Sequence, residues 1–221
     1  MSSHLNEQDQ VEIIKRFWKK YGNWILAVII IIALAIAGWR FWQKHQQQTV
    51  DKASLLYQAA FVGLKKHQAE IVEANTSKLQ SEFASTTYAS MASLLLAKQL
   101  VAESNLTLAK TQLIWVIRNT SVPELKAIAK LRLARILIEQ HQAKKARIYL
   151  VPVKGFEAVF YAVQGQAYQQ MKQIAKARIA YTQSLQHMQS TDPLYSLVEM
   201  SKNALPASPM AMHMAHPEGT K

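Results

Sequence analysis

Between Lys20 and Arg40 the chain carries no charged residue, and from Ile25 to Ala37 every residue is aliphatic. A helix that crosses a bilayer needs about 20 mainly apolar residues. The aliphatic run alone falls short of that, and its flanks complete it. Tyr21 and Trp24 stand on one side, and Trp39, Arg40, Phe41 and Trp42 on the other. Aromatic rings settle at headgroup depth, and basic side chains snorkel past them. These six residues are therefore the expected membrane-interface positions, and 21–42 the expected spanning helix. Before it, Val11, Ile14, Trp18 and Tyr21 recur at helical spacing, with Glu12, Lys15, Arg16 and Lys19 on other faces. That pattern predicts an amphipathic segment over 1–20, or equally an N-terminal extension of the spanning helix itself.

Helix-favouring sequence resumes after Gln46–Thr49 and runs to about residue 205. Breaks are expected at Ser104-Asn105, Asn119 to Pro123, His141-Gln142, Pro152 to Gly155, and Asp192-Pro193. Segments of about 12 to 20 residues between such breaks predict antiparallel helices with short connections. Small residues recur in a fixed register. Gly165 and Ala177, Ala134 and Ala146, and Ala97 and Ala109 are each twelve residues apart. Tyr161, Tyr168 and Tyr181 accompany the first pair. Leu133, Leu137 and Leu150 accompany the second, and Leu96, Leu100 and Leu113 the third. Small residues let two helices approach, and large ones fill the gap to the next pair. The starts lie 37 and then 31 residues apart, around the tetratricopeptide period of about 34. The expected fold is therefore all-α: a single N-terminal transmembrane helix, then a tetratricopeptide-like helical-repeat domain (an α-solenoid) over 43–205. Asp51 to Ser85 reads as a further, degenerate pair, and Pro193 to Leu205 as a terminal capping helix.

Composition narrows the function. With six glycines and six prolines in 221 residues, no glycine-rich phosphate loop can be built. No cysteine is present, which removes disulfides, thiolate nucleophiles and cysteine-held zinc. No His-Glu-x-x-His motif or nucleophile elbow occurs. The expectation is a protein that is not an enzyme and takes no cofactor. The net charge is +12, and twenty basic against eleven acidic residues lie beyond residue 45. The clusters Lys126, Lys130, Arg132, Arg135 and Lys144, Lys145, Arg147 spread over several helix faces without interleaved aromatics. They read as solvated helix surface, with no nucleic-acid partner. The tail over 206–221 is expected to be disordered. Its Met210-Ala-Met-His-Met-Ala-His216 run holds donors that suit copper(I), but no metal site is expected there.

Two features bear on the anchor. Ala35-Ile36-Ala37 has the small-x-small form of a signal-peptide cleavage site, and cleavage would release a soluble product. The long preceding segment and the aromatic belt beyond the site predict an uncleaved anchor instead. Lys15, Arg16, Lys19 and Lys20 before the span slightly outweigh Arg40, Lys44 and Lys52 after it, a small bias toward an inside N-terminus.

The order of these elements resembles the YfgM family, ancillary subunits of the bacterial SecYEG translocon. The residues that carry the likeness are Asp9-Gln-Val-Glu-Ile-Ile-Lys-Arg-Phe-Trp18 before the span and Gly38-Trp-Arg-Phe-Trp42 after it. Further on come Ala53-Ser-Leu-Leu-Tyr-Gln-Ala59, Tyr88-Ala-Ser-Met-Ala-Ser-Leu94 and Leu125-Lys-Ala-Ile-Ala-Lys-Leu-Arg-Leu-Ala-Arg135. The resemblance spans about residues 7 to 205. It implies a single-pass protein of the bacterial inner membrane, with a cytoplasmic N-terminus and a periplasmic repeat domain. It also implies partners: the lipid bilayer, the SecYEG translocon, a PpiD-like periplasmic chaperone and unfolded client proteins leaving the channel.

If the tetratricopeptide register carries over, the first helix of each pair lines a binding groove. Its residues are then Met91, Leu94, Lys98 and Val101, followed by Ile128, Leu131, Arg135 and Ile138, and by Val159, Ala162, Gln166 and Gln169. Each apolar member has the alternative of filling the core between helices. Two other functions compete with groove binding. One is a pure tether for a chaperone. The other is a regulator or scaffold that holds a cytoplasmic signalling protein through residues 1–20.

Overall fold

The computed structural model describes residues 4–206, with the backbone alone for 4–14, 16, 22 and 25. The Met210–His216 run lies outside the described residues, as do the side chains of Val11 and Ile14. Two compact units divide at Lys52/Ala53.

In the first unit, α1 (His4–Lys65, reaching into the second unit) holds a window of mean hydropathy 1.9 with none of its residues buried. Among the described residues it is the one helix long and apolar enough to cross a membrane. Tyr21, Trp24, Trp39, Arg40, Phe41 and Trp42 are all exposed. The aromatics pair within their girdles, with Phe17 and Tyr21 centroids at 5.1 Å and Trp39 and Trp42 at 5.7 Å. The helix does not break at Gln46–Thr49. Glutamine favours helix, the Thr49 hydroxyl donates to the His45 carbonyl (3.0 Å), and Gln47 Nε2 donates to Asp51 (3.2 Å).

The second unit begins with residues 53–65 of α1 and continues through α2 (Ala69–Glu82), α3 (Thr87–Ala102), α4 (Leu106–Asn119), α5 (Pro123–Glu139), α6 (Ala143–Ala146), α7 (Glu157–Gln170), α8 (Ile174–Gln186) and α9 (Tyr195–Asn203). No strand occurs among the described residues. The helices form pairs: the end of α1 with α2, α3 with α4, α5 with α6, and α7 with α8. α9 then packs on α8.

One turn is used four times. His67, Ser104, His141 and Lys172 adopt positive φ of 57 to 62°. The next N–H then donates back to a carbonyl of the finished helix: Gln68 to Gly63 (2.9 Å), Asn105 to Leu100 (2.8 Å), Gln142 to Leu137 (2.7 Å) and Gln173 to Tyr168 (2.9 Å). This left-handed C-terminal cap satisfies an orphan carbonyl and reverses the chain. The acceptors recur after 37, 37 and 31 residues, so the backbone itself carries the repeat and includes the first pair. None of the four residues is glycine, which adopts this conformation without the side-chain clash. Ser104 and Lys172 are exposed. Ser104→Gly and Lys172→Gly are each expected to stabilise the domain by about 0.5–1 kcal/mol, read as a shifted urea midpoint.

Packing follows the same register. Ala60, Ala97, Ala134 and Gly165 are buried on the first helices, and Val72, Ala109, Ala146 and Ala177 opposite them on the second. Thr76, Leu113, Leu150 and Tyr181 follow one turn later, each at most 1% exposed. Side chains tie one pair to the next. Gln80 donates to Ser93 Oγ (2.8 Å) and Gln112 Oε1 (2.7 Å), Lys110 Nζ donates to Gln140 Oε1 (2.8 Å), and Gln170 Nε2 donates to the Ile138 carbonyl (2.7 Å). Arg178 donates to the Pro206 carbonyl (2.7 Å), fixing the chain after α9.

The sequence predicts helices of about 12 to 20 residues, and between the breaks at His141-Gln142 and Pro152 the second helix of the third pair is shorter. α6 has four residues and gives way to a 3-10 turn over Arg147–Tyr149. Pro152 has no N–H to donate and disfavours helical backbone at Val151, so the helix cannot extend. Leu150 still reaches the core, while Ile148 and Val151 stay exposed. Gln164 Nε2 donates to the Leu150 carbonyl and covers the shortened end.

Candidate functional site

The first helices of successive pairs leave two cavities between them. One, of about 330 Å3, lies between α3 and α5. It is lined by Ala97, Lys98, Val101, Leu113, Arg132, Arg135, Ile136 and Glu139. The other, of about 630 Å3, lies between the end of α1 and α3. It is lined by Phe61, Leu64, Lys65, His67, Lys98, Gln99, Ala102 and Glu103. Lys98 borders both.

The local sequence explains this layout. On α3, Lys98 and Val101 are three residues apart and share a face, while Ala97 and Leu100 turn inward. On α5, Arg132, Arg135, Ile136 and Glu139 follow the i, i+3, i+4, i+7 rule that gathers residues on one face. Ala97 is small, so the two helices leave a hollow with three cationic heads at its rim.

Arg132 is the best-fixed of the three. Its guanidinium donates to the Leu94 carbonyl on α3 at 3.0 Å, bridging the two helices. Burial, and then the nearby Arg135 charge, hold its pKa below the usual guanidinium value. At neutral pH it remains a cation. In the lining of the larger cavity, Gln99 Nε2 donates to Glu103 (2.9 Å), and Lys65 sits over the Phe61 ring at 4.6 Å.

Three of the sequence-derived groove residues, Lys98, Val101 and Arg135, come together in the smaller cavity. Met91, Ile128 and Ile138 are half-buried along the same helices, as are Val159 and Ala162 on α7. Leu94 and Leu131 are buried, at 7% and 6% exposure, and serve the core. Gln166 and Gln169 are exposed on α7, where Gln169 Oε1 accepts from the Tyr181 hydroxyl at 3.0 Å. The sequence reading put Arg132 on solvated helix surface, whereas the structure half-buries it against the Leu94 carbonyl, and it passed over Glu139. The signal for both was their helical spacing from Arg135. Among the described residues, no group of three or more His, Asp or Glu side chains is placed to hold a metal ion.

The sequence matches the tetratricopeptide repeat-like domain family over residues 15–207. It is 37% identical over 155 residues to an Escherichia coli K12 protein named "Ancillary SecYEG translocon subunit", covering 70% of this chain and 74% of the relative. The chain belongs to the YfgM family. A Neisseria gonorrhoeae protein of the same name is 27% identical over 208 residues, covering 93% of this chain and all of the relative. A Haemophilus influenzae protein of that name is 26% identical over 155 residues, covering 70% of this chain and 76% of the relative. No solved structure matches the chain. As a YfgM-family chain it joins an N-terminal apolar helix to a tetratricopeptide-like domain, the architecture that its sequence predicts.

Proposed function

We propose that this chain is a non-enzymatic, single-pass ancillary subunit of the SecYEG translocon in the bacterial inner membrane. Its N-terminus faces the cytoplasm and its repeat domain the periplasm. There the face built from the first helices of the pairs binds a PpiD-like chaperone, newly translocated proteins, or both. The observation that carries the reading is the pair of adjoining cavities bordered by Lys98. An open, mainly apolar hollow with a few fixed polar groups suits a polypeptide segment. The names of the relatives supply the setting.

Two experiments test it. A photo-crosslinking residue at Val101, on the groove, is expected to capture a radiolabelled chain arrested in the translocon, or the chaperone. The same residue at Leu108, exposed on α4, is expected to capture neither. Equal yields from both positions would remove the groove from the function. In spheroplasts, added protease is expected to digest a C-terminal tag that intact cells protect. A tag protected until lysis would place the domain in the cytoplasm and end the translocon-exit reading.

A further inference from the structure

Lys98, Arg132 and Arg135 crowd the rim of the smaller cavity, and Glu139 is the single acid lining it. Three cations therefore face one acid in this lining, which leaves the rim net positive. The second acid nearby, Glu103, lies beyond Lys98 in the adjoining cavity and is held by Gln99. Three cations with apolar walls between them are an unfavourable arrangement in an empty groove, because like charges repel and Arg132 is partly desolvated. Arg132 is nonetheless locked in place by its bond to the Leu94 carbonyl, with further guanidinium N–H groups left to donate. Such a fixed fork suits a carboxylate.

The walls say what flanks that carboxylate. Val101, Leu113 and Ile136 form the apolar side of one cavity, and Phe61, Leu64 and Ala102 that of the other. The cationic rim at Lys98 stands between them. We propose that the groove selects extended polypeptide segments in which an aspartate or glutamate lies between apolar residues, the acid meeting Lys98, Arg132 and Arg135 and the apolar side chains entering the cavities on either side. This rests on the groove being the docking face. It adds a selection rule that the docking reading does not contain. Because the walls of both cavities take apolar side chains, the rule favours a single central acid over a polyacidic run.

The test uses the full chain in detergent micelles. Its probes are fluorescein-labelled peptides with one aspartate between two leucines, and the matching asparagine and lysine peptides. The aspartate peptide is expected to bind about fivefold to tenfold more tightly than the asparagine peptide. The advantage should shrink with added salt. Lys98→Glu with Arg135→Glu, at exposed positions where the fold tolerates the change, should reverse the order in favour of the lysine peptide. Equal binding of all three peptides would overturn the selection rule. It would leave the docking face intact if crosslinks from Val101 persist. A polyaspartate peptide, a single-stranded oligonucleotide or anionic vesicles binding as tightly as the aspartate peptide would also overturn it, since the groove would then read charge alone.

Discussion

Replacing Gly165 with alanine is expected to destabilise the repeat domain by about 2 kcal/mol, although alanine is the better helix former by about 1 kcal/mol. A methyl group at this position would run into the Tyr181 ring. It would lie against Cε1, 2.5 Å from Cδ1 and 2.8 Å from Cζ. The ring has nowhere to go. Tyr181 is 1% exposed, and its hydroxyl is tied to Gln169. Burial pushes its pKa up to about 12, so the phenol stays neutral and the contact is unchanged across the neutral range. Relief would require α7 and α8 to separate. Urea denaturation followed by circular dichroism should show a lower midpoint for Gly165→Ala. Tyr181→Leu in the same chain should recover part of the loss, and a double-mutant cycle isolates that coupling. Gly38 is the control, because a methyl group there would meet nothing within 4 Å. An unchanged or raised midpoint for Gly165→Ala would refute the steric account.

Phe160→Ala is expected to cost more, about 3–5 kcal/mol, the usual range for emptying a phenylalanine site in a core. Phe160 is fully buried on α7 and belongs to the central cluster with Leu133, Leu137, Ala146 and Leu150. It therefore joins the third pair to the fourth at the place where α6 is too short to supply much surface of its own. In a stack whose repeats contact only their neighbours, such damage stays local. Hydrogen exchange should accelerate in α7, α8 and α9 while α3 and α4 keep most of their protection. Uniform loss of protection along the whole domain would mean that it unfolds as one body.

These two sites also show what was legible beforehand. Gly165 and Tyr181 belong to a register that the sequence displays openly, because small and large residues alternate with fixed spacing from Ala97 onward. The first pair is harder to read. Val72 and Thr76 stand where later pairs place alanine and a leucine or tyrosine, so side-chain identity hides a repeat that the Gln68 to Gly63 bond makes plain. The truncation of α6 was half visible, since Pro152 marks where helix must stop, but the 3-10 turn before it depends on tertiary cover from Gln164. At the groove, Lys98 and Arg135 follow from register alone. Arg132 shares the helical spacing of Arg135, but its anchor is a carbonyl on another helix, and no local pattern encodes that distance. Leu94 and Leu131 share the register of the groove residues, yet lie deep enough to serve the core.

The adjacency of the pairs has a kinetic consequence. The principal contacts join helices that are consecutive or nearly so in the chain. Short loops close at little entropic cost, and helical proteins of low contact order fold in microseconds to milliseconds. Synthesis is far slower, at about 5–20 residues per second. The end of α1 and α2 have each other as partners well before α9 exists. Each later pair then meets a finished template instead of an open chain, so little apolar surface waits uncovered. Val198 and Leu205 emerge after all the paired helices, and with Tyr181 they close the far end of the stack once those pairs are already in place.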